Sequence, residues 1–137
     1  MRVSEAMHTP AVTCHPGATL RETAGLMDRQ DVGCVIVIDA DGSVAGVVTD
    51  RDIAIRGVGA GLSYEASSRS VMSPDVASIS PRADVTEAVE IMRFRRVRRL
   101  PVVDEHGAVH GLVALDDLVR VLSGEVEALG AVIGRQI

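Results

Sequence analysis

Apolar and polar positions along this chain change period in a fixed order, and the order is played twice. A short apolar run at residues 11–14 stops at a corner holding Pro16, which predicts a brief strand. Leu20, Ala24 and Met27 then recur at helical spacing and predict one face of a helix. Thr19 stands at the N-cap position with Glu22 three residues on, the spacing of a capping box. Residues 34–38 are continuously apolar, as expected of a strand covered on both faces. A second strand at 44–48 follows across Asp39-Ala40-Asp41-Gly42, which is hairpin chemistry, and a second helix starts near Asp50. The same succession returns as a strand at 76–79, a corner at Pro81, and a cap at Asp84 with Glu87. A helix face of Val85, Val89 and Met92 comes next, then strands at 100–103 and 108–113 around Asp104-Glu105-His106-Gly107, and a helix from near Leu115.

The second succession lies 65 residues after the first without a gap. Met7, Pro16, Glu22, Met27, Asp39, Gly42, Gly46 and Asp52 recur as Met72, Pro81, Glu87, Met92, Asp104, Gly107, Gly111 and Asp117. The fold class is α/β (α+β): two in-register β-α-β-β-α units. Such a unit cannot bury its apolar face alone, so the two copies pack together and enclose two related clefts. The division is residues 3–60 for the first copy, a Gly- and Ser-rich linker at 61–70, 71–123 for the second copy, and an extension at 124–137. From the end of the second copy through that extension, the stripe Leu118, Val119, Leu122, Val126, Leu129, Val132 and Ile133 outlasts what a two-copy core needs. Spare apolar stripe of this kind usually meets a partner helix.

Composition narrows the function. At 137 residues the chain forms one compact unit burying about 68% of its unfolded surface. A formal charge of −5 argues against a nucleic-acid binder, and one Phe with one Tyr leaves no base-stacking platform. No run approaches the roughly 20 apolar residues of a membrane span, and the first residues lack a signal-peptide core, so the expected location is the cytoplasm. Cys14 and Cys34 have Ile79 and Arg99 as counterparts; two cysteines make no disulfide framework and read as buried thiols, with a redox role left open.

Gly46-Val47-Val48-Thr49-Asp50-Arg51-Asp52 resembles the Gly-h-h-Ser/Thr-x-x-Asp signature (h apolar) of cystathionine-β-synthase (CBS) domains. Arg98-Arg99-Leu100-Pro101-Val102-Val103-Asp104 is similar to the strand before that signature, and the leading methionines, Pro corners and hairpin glycines fit as well. The resemblance covers roughly residues 3–123. It implies a tandem pair, or Bateman module, packed through its sheets about a pseudo-two-fold axis, with clefts that take AMP, ADP, ATP or S-adenosylmethionine. It also implies a homodimer formed through helices.

Residue types explain why such a signature suits a nucleotide. Backbone N–H groups at a helix start and the Thr49 hydroxyl suit phosphate or sugar oxygens, and the Asp52 carboxylate suits ribose hydroxyls. The same two residues also read as an ordinary helix cap. By resemblance, Thr13 contacts the base, Cys34, Val35 and Ile36 form a wall of its slot, Arg51 lies within the signature, and Arg98 and Arg99 reach phosphate. Arg forks suit phosphate through bidentate contacts. The second copy has Ala114 in place of Thr49, so its site, with Ser78 and Asp117, is expected to be the weaker. Arg93, Arg95 and Arg96 read as a solvated helix end opposing its dipole.

Three motifs fall away. Gly57-Val58-Gly59-Ala60-Gly61 follows a helix where a dinucleotide loop would follow a strand. Asp39–Gly42 places its Gly too early for a calcium loop. The four histidines show no ligand spacing, and no nucleophile has a base beside it, so neither a metal site nor an enzyme is expected. The reading is a regulatory protein that binds an adenine nucleotide in the interrepeat cleft, Mg²⁺ being left open. It signals to a protein effector by conformational or oligomeric change. The alternative is a stress-response interaction scaffold with vestigial clefts.

Overall fold

The computed structural model describes residues 1–135. The elements run α1 (Val3–Ala6), β1 (Thr13–Cys14), α2 (Leu20–Gln30), β2 (Cys34–Ile38), β3 (Val44–Thr49) and α3 (Asp50–Asp52). Then come β4 (Ser73–Pro74), α4 (Val85–Arg95), β5 (Arg99–Val103), β6 (Val109–Ala114) and α5 (Leu115–Arg135). After α3 the backbone widens into π-helix over Ile53–Val58, and a single 3₁₀ turn spans Ser68–Ser70. The expected strand at 76–79 shrinks to one parallel bridge, Ile79 to Val102, matching the Cys14–Val37 pair of the first copy.

Both hairpins form as the Asp-x-x-Gly turns require, with Gly42 at φ +87° and Gly107 at φ +83°, where a side chain would be strained. Their strands pair antiparallel in the same register, Ile36 opposite Val47 and Pro101 opposite Leu112. The helix faces differ from expectation by one position. Leu20, Thr23 and Met27 are buried while Ala24 is exposed, and Val85, Ala88 and Met92 are buried while Val89 is exposed. Helical side chains lean toward the N-terminus, so the i, i+3, i+7 row faced the sheet. The caps differ too. The Glu22 N–H donates to Thr19 Oγ1 (3.0 Å) and the Thr86 N–H to Asp84 Oδ1 (3.0 Å), each one-sided where a reciprocal box was expected.

Each copy completes the other. β4 opens the second copy yet pairs antiparallel with β3 of the first, giving a sheet ordered β1-β2-β3-β4. In mirror fashion His8 pairs with Leu112 on β6. The lead-in segments cross over in the same way. The Val3 and Ser4 N–H groups donate to Ala83 and Pro81 carbonyls (2.8 and 3.0 Å), and those of Ser68 and Arg69 to Ala18 and Pro16 (2.7 and 3.1 Å). Val3 therefore belongs to the core of Val85, Met92, Leu100, Val102, Val113 and Leu118, and Val71 to that of Leu20, Met27, Val35, Val37 and Val48. The exchange also explains the leading glycine of the signature. A Cβ on Gly46 would sit 2.6 Å from the Ser73 carbonyl oxygen, and one on Gly111 would clash with the His8 carbonyl oxygen.

Candidate functional site

Where β3 meets α3, Thr49 and Asp52 form a true capping box. The Asp52 N–H donates to Thr49 Oγ1 (3.1 Å) and the Thr49 N–H to Asp52 Oδ2 (2.9 Å). The Thr49 hydroxyl still has its own proton to donate, and Asp52 Oδ1 has only the Arg56 guanidinium, at 3.9 Å, near it among the described residues. In the second copy the Ala114 N–H donates to Asp117 Oδ2 (2.8 Å), but Asp117 Oδ1 is taken by His8 Nε2 (2.7 Å) and Arg120 Nη2 (2.6 Å). The Asp117 side chain is 3% exposed against 15% for Asp52. Sequence reasoning missed His8 and Arg120. The signal was there in the unequal pairs His8/Ser73 and Arg120/Ile55 of the repeat.

A cavity of about 660 Å³ opens between the copies. One wall is Val12, Thr13, Leu26, Gln30, Gly33 and Cys34; the other is Arg99, Ala114 and Asp116, with His8 at the margin. Thr13, Cys34 and Arg99 are thus brought together, beside the signature of the second copy. Thr49, Arg51, Asp52 and Arg98 do not line this cavity, and Val35 and Ile36 lie in the fully covered part of β2. A second cavity of about 550 Å³ has Ala77, Ser78, Ile91 and Arg95 in its wall, the 65-residue mates of Val12, Thr13, Leu26 and Gln30. The rest of its wall is Glu87, Glu90 and Phe94, so this lining comes from the second copy alone and includes neither Arg98 and Arg99 nor the Thr49–Asp52 signature. In the interrepeat cavity the arrangement is crossed: the strand wall of the first copy faces the signature of the second.

Cys34 sits near the junction. Burial pushes its thiol up to about 11; Arg99 opposes the rise, and the Asp52 and Asp50 carboxylates add to it. Burial also raises Cys14, whose Sγ lies 3.9 Å from Ser68 Oγ. At pH 8 only about one Cys34 in 10³ is thiolate, and the thiolate is the nucleophile. Alkylation of the native chain by iodoacetamide at pH 8 is therefore expected to be at least a hundredfold slower at Cys34 than in the urea-unfolded chain. Equal rates, read by peptide mass, would contradict this.

The model for the CBS domain family matches residues 3–58 and 68–124. The chain belongs to the CBS domain family. It is 37% identical over 124 residues to the CBS domain-containing protein YhcV of Bacillus subtilis, covering 90% of this chain and 87% of that one. It is 32% identical over 122 residues to hypoxic response protein 1 of Mycobacterium tuberculosis, covering 88% and 85%. A solved CBS domain protein from Pyrobaculum aerophilum, complexed with AMP, superposes with a TM-score of 0.79 at 28% identity, covering 86% of this chain and 90% of that one. The two copies are thus a CBS pair, and the α+β architecture is that of the family. No helix among the described residues is long and apolar enough to cross a membrane.

Proposed function

We propose that this CBS pair is a regulatory module that binds an adenosine phosphate between its copies. The observation that carries the reading is the cavity of about 660 Å³ between the copies, within the range of small-ligand pockets. The AMP complex of a 28% identical relative supports the ligand class.

The two clefts differ in what they offer. By the 65-residue translation, the mate of the observed interrepeat cavity takes Ser78 and Arg98 from the second copy and Thr49 and Arg51 from the first, with Asp52 beside them keeping one oxygen open to ribose, whereas Arg99 lines the observed cavity itself. In the other, with Thr13 and Cys34, the corresponding acid Asp117 is occupied by His8 and Arg120, and Ala114 has no hydroxyl. The arginine-rich cleft is the primary site, and Thr13 belongs with the weaker one. Binding shifts the angle between copies or the packing of a helix-mediated homodimer, and an effector protein reads that shift. α5 starts in the wall of the Thr13–Cys34 cleft, the weaker of the two, and runs clear of the body.

Calorimetric titration with AMP, ADP, ATP and S-adenosylmethionine, with and without Mg²⁺, tests the reading. Asp52→Ala is expected to weaken the best ligand at least tenfold, about 1.4 kcal/mol. Arg98→Ala is expected to weaken AMP but not adenosine. Absence of heat from every ligand would sink the proposal. It would favour the second reading, an interaction scaffold with vestigial clefts, which has its own support: both signature acids already serve as helix caps.

A further inference from the structure

Past Val121, α5 leaves the body of the protein. Every residue from 122 to 134 is exposed, on all sides of the helix. That stretch projects by about 20 Å, and a lone helix of its length is marginal in water. Gly124, Gly130 and Gly134 make it weaker still, glycine being a far poorer helix former than alanine. A Cβ added at any of the three meets nothing within 4 Å, so packing within the chain does not account for them.

The apolar residues of α5 have a sharper period than an ordinary amphipathic face. Leu115, Val119, Leu122, Val126, Leu129 and Ile133 follow one another at steps of four and three, the 3.5-residue spacing of a heptad seam. The two alternate positions differ in kind: Val119, Val126 and Ile133 are β-branched at a, and Leu115, Leu122 and Leu129 occupy d. All six are 43–67% exposed. β-branched residues at a with Leu at d select a parallel, two-stranded coiled coil, because each shape fits the hole that geometry presents. In the projecting stretch the flanking e positions are Ser123 and Gly130, small enough for close approach, while Asp116 takes the e position beside the body. In a parallel pair Glu125 at g faces Gly130 at e, so no like charges meet. The exposed seam amounts to roughly 600 Å² per copy, and the roughly 1,200 Å² of a pair reaches the lower bound for a stable interface.

We infer that the occupant of this seam is the same seam of a second copy, in a parallel, in-register coiled coil. The inference gives a face, an orientation and a register to the helix-mediated pairing proposed above, and it does not depend on ligand binding.

The full chain is tested by sedimentation equilibrium and by cross-linking. Wild type is expected at dimer mass. Val126→Asp, a change at an exposed position, is expected to raise the dissociation constant at least a hundredfold and to lower ellipticity at 222 nm while leaving the thermal transition of the body in place. Val126→Asn, tolerated at a in two-stranded coils, is expected to remain dimeric. Leu122→Cys and Leu129→Cys are each expected to give a disulfide-linked dimer under mild oxidation, above a wild-type control carrying the native thiols. A monomeric wild type, a Val126→Asp chain that stays dimeric, or cross-linking at only one of the two positions would overturn the inference. The ligand titrations are read on the same samples by heat, so a failure of either reading leaves the other standing.

Discussion

Deleting residues 1–8 is expected to loosen the second copy rather than the first, although these residues lead the first in sequence. Val3 is fully buried beside Val85, Leu100 and Leu118, and burying a valine contributes about 1.5–3 kcal/mol. The segment also makes backbone hydrogen bonds from Val3, Ser4 and His8 to Ala83, Pro81 and Leu112, each contributing about 0.5–1.5 kcal/mol. Together they come to about 5 kcal/mol, comparable with the whole stability of a small domain. Urea unfolding followed by hydrogen exchange is the measurement. Amides of α4, β5 and β6 should lose protection first, while those of α2, β2 and β3 hold. Equal loss in both copies would refute the crossed packing. Val3→Ala alone should show the same polarity at a smaller size.

Asp117→Ala is expected to cost about 2–3 kcal/mol and to lower Tm by about 10 °C. Three donors lose their acceptor at once: the Ala114 N–H, His8 and Arg120. The cap by itself is worth about 1 kcal/mol. Breaking a buried charge network costs 3–5 kcal/mol, but His8 and Arg120 are both 65% open to water, so the loss falls below that range. Asp52→Ala removes a cap with no close cation and should cost about 1 kcal/mol. His8→Ala should cost less than Asp117→Ala, since Arg120 stays in place. Thermal unfolding of the three variants decides the order. If Asp52→Ala proved as damaging as Asp117→Ala, the two acids would be equivalent, and the contrast between clefts would lose its basis.

Much of this was legible before any coordinates. The 65-residue repeat, the hairpins at Asp39–Gly42 and Asp104–Gly107, and the caps at Thr19, Asp84 and Thr49 follow from local rules. Those rules need only a few neighbouring residues: a positive φ calls for Gly, an open N–H calls for an oxygen. The long stripe on α5 was visible for the same reason, and so was the family. The helix faces were read one position off, at Ala24 and Val89, because periodicity gives spacing, whereas the facing row depends on how a side chain leans against the sheet.

What the tertiary structure alone decided is which residues of one copy meet which of the other. Translation along the chain carries no record of the rotation that brings two copies face to face. Thr13 and Cys34 therefore share a cavity with Ala114 and Asp116, and not with Thr49 and Asp52. The same rotation hands Val3 to the far core and lays His8 on Asp117. Sequence determined two copies of one unit and the chemistry each could offer. Packing determined that the interrepeat cleft is built from both copies, because an apolar face is satisfied by whatever surface covers it, however distant along the chain.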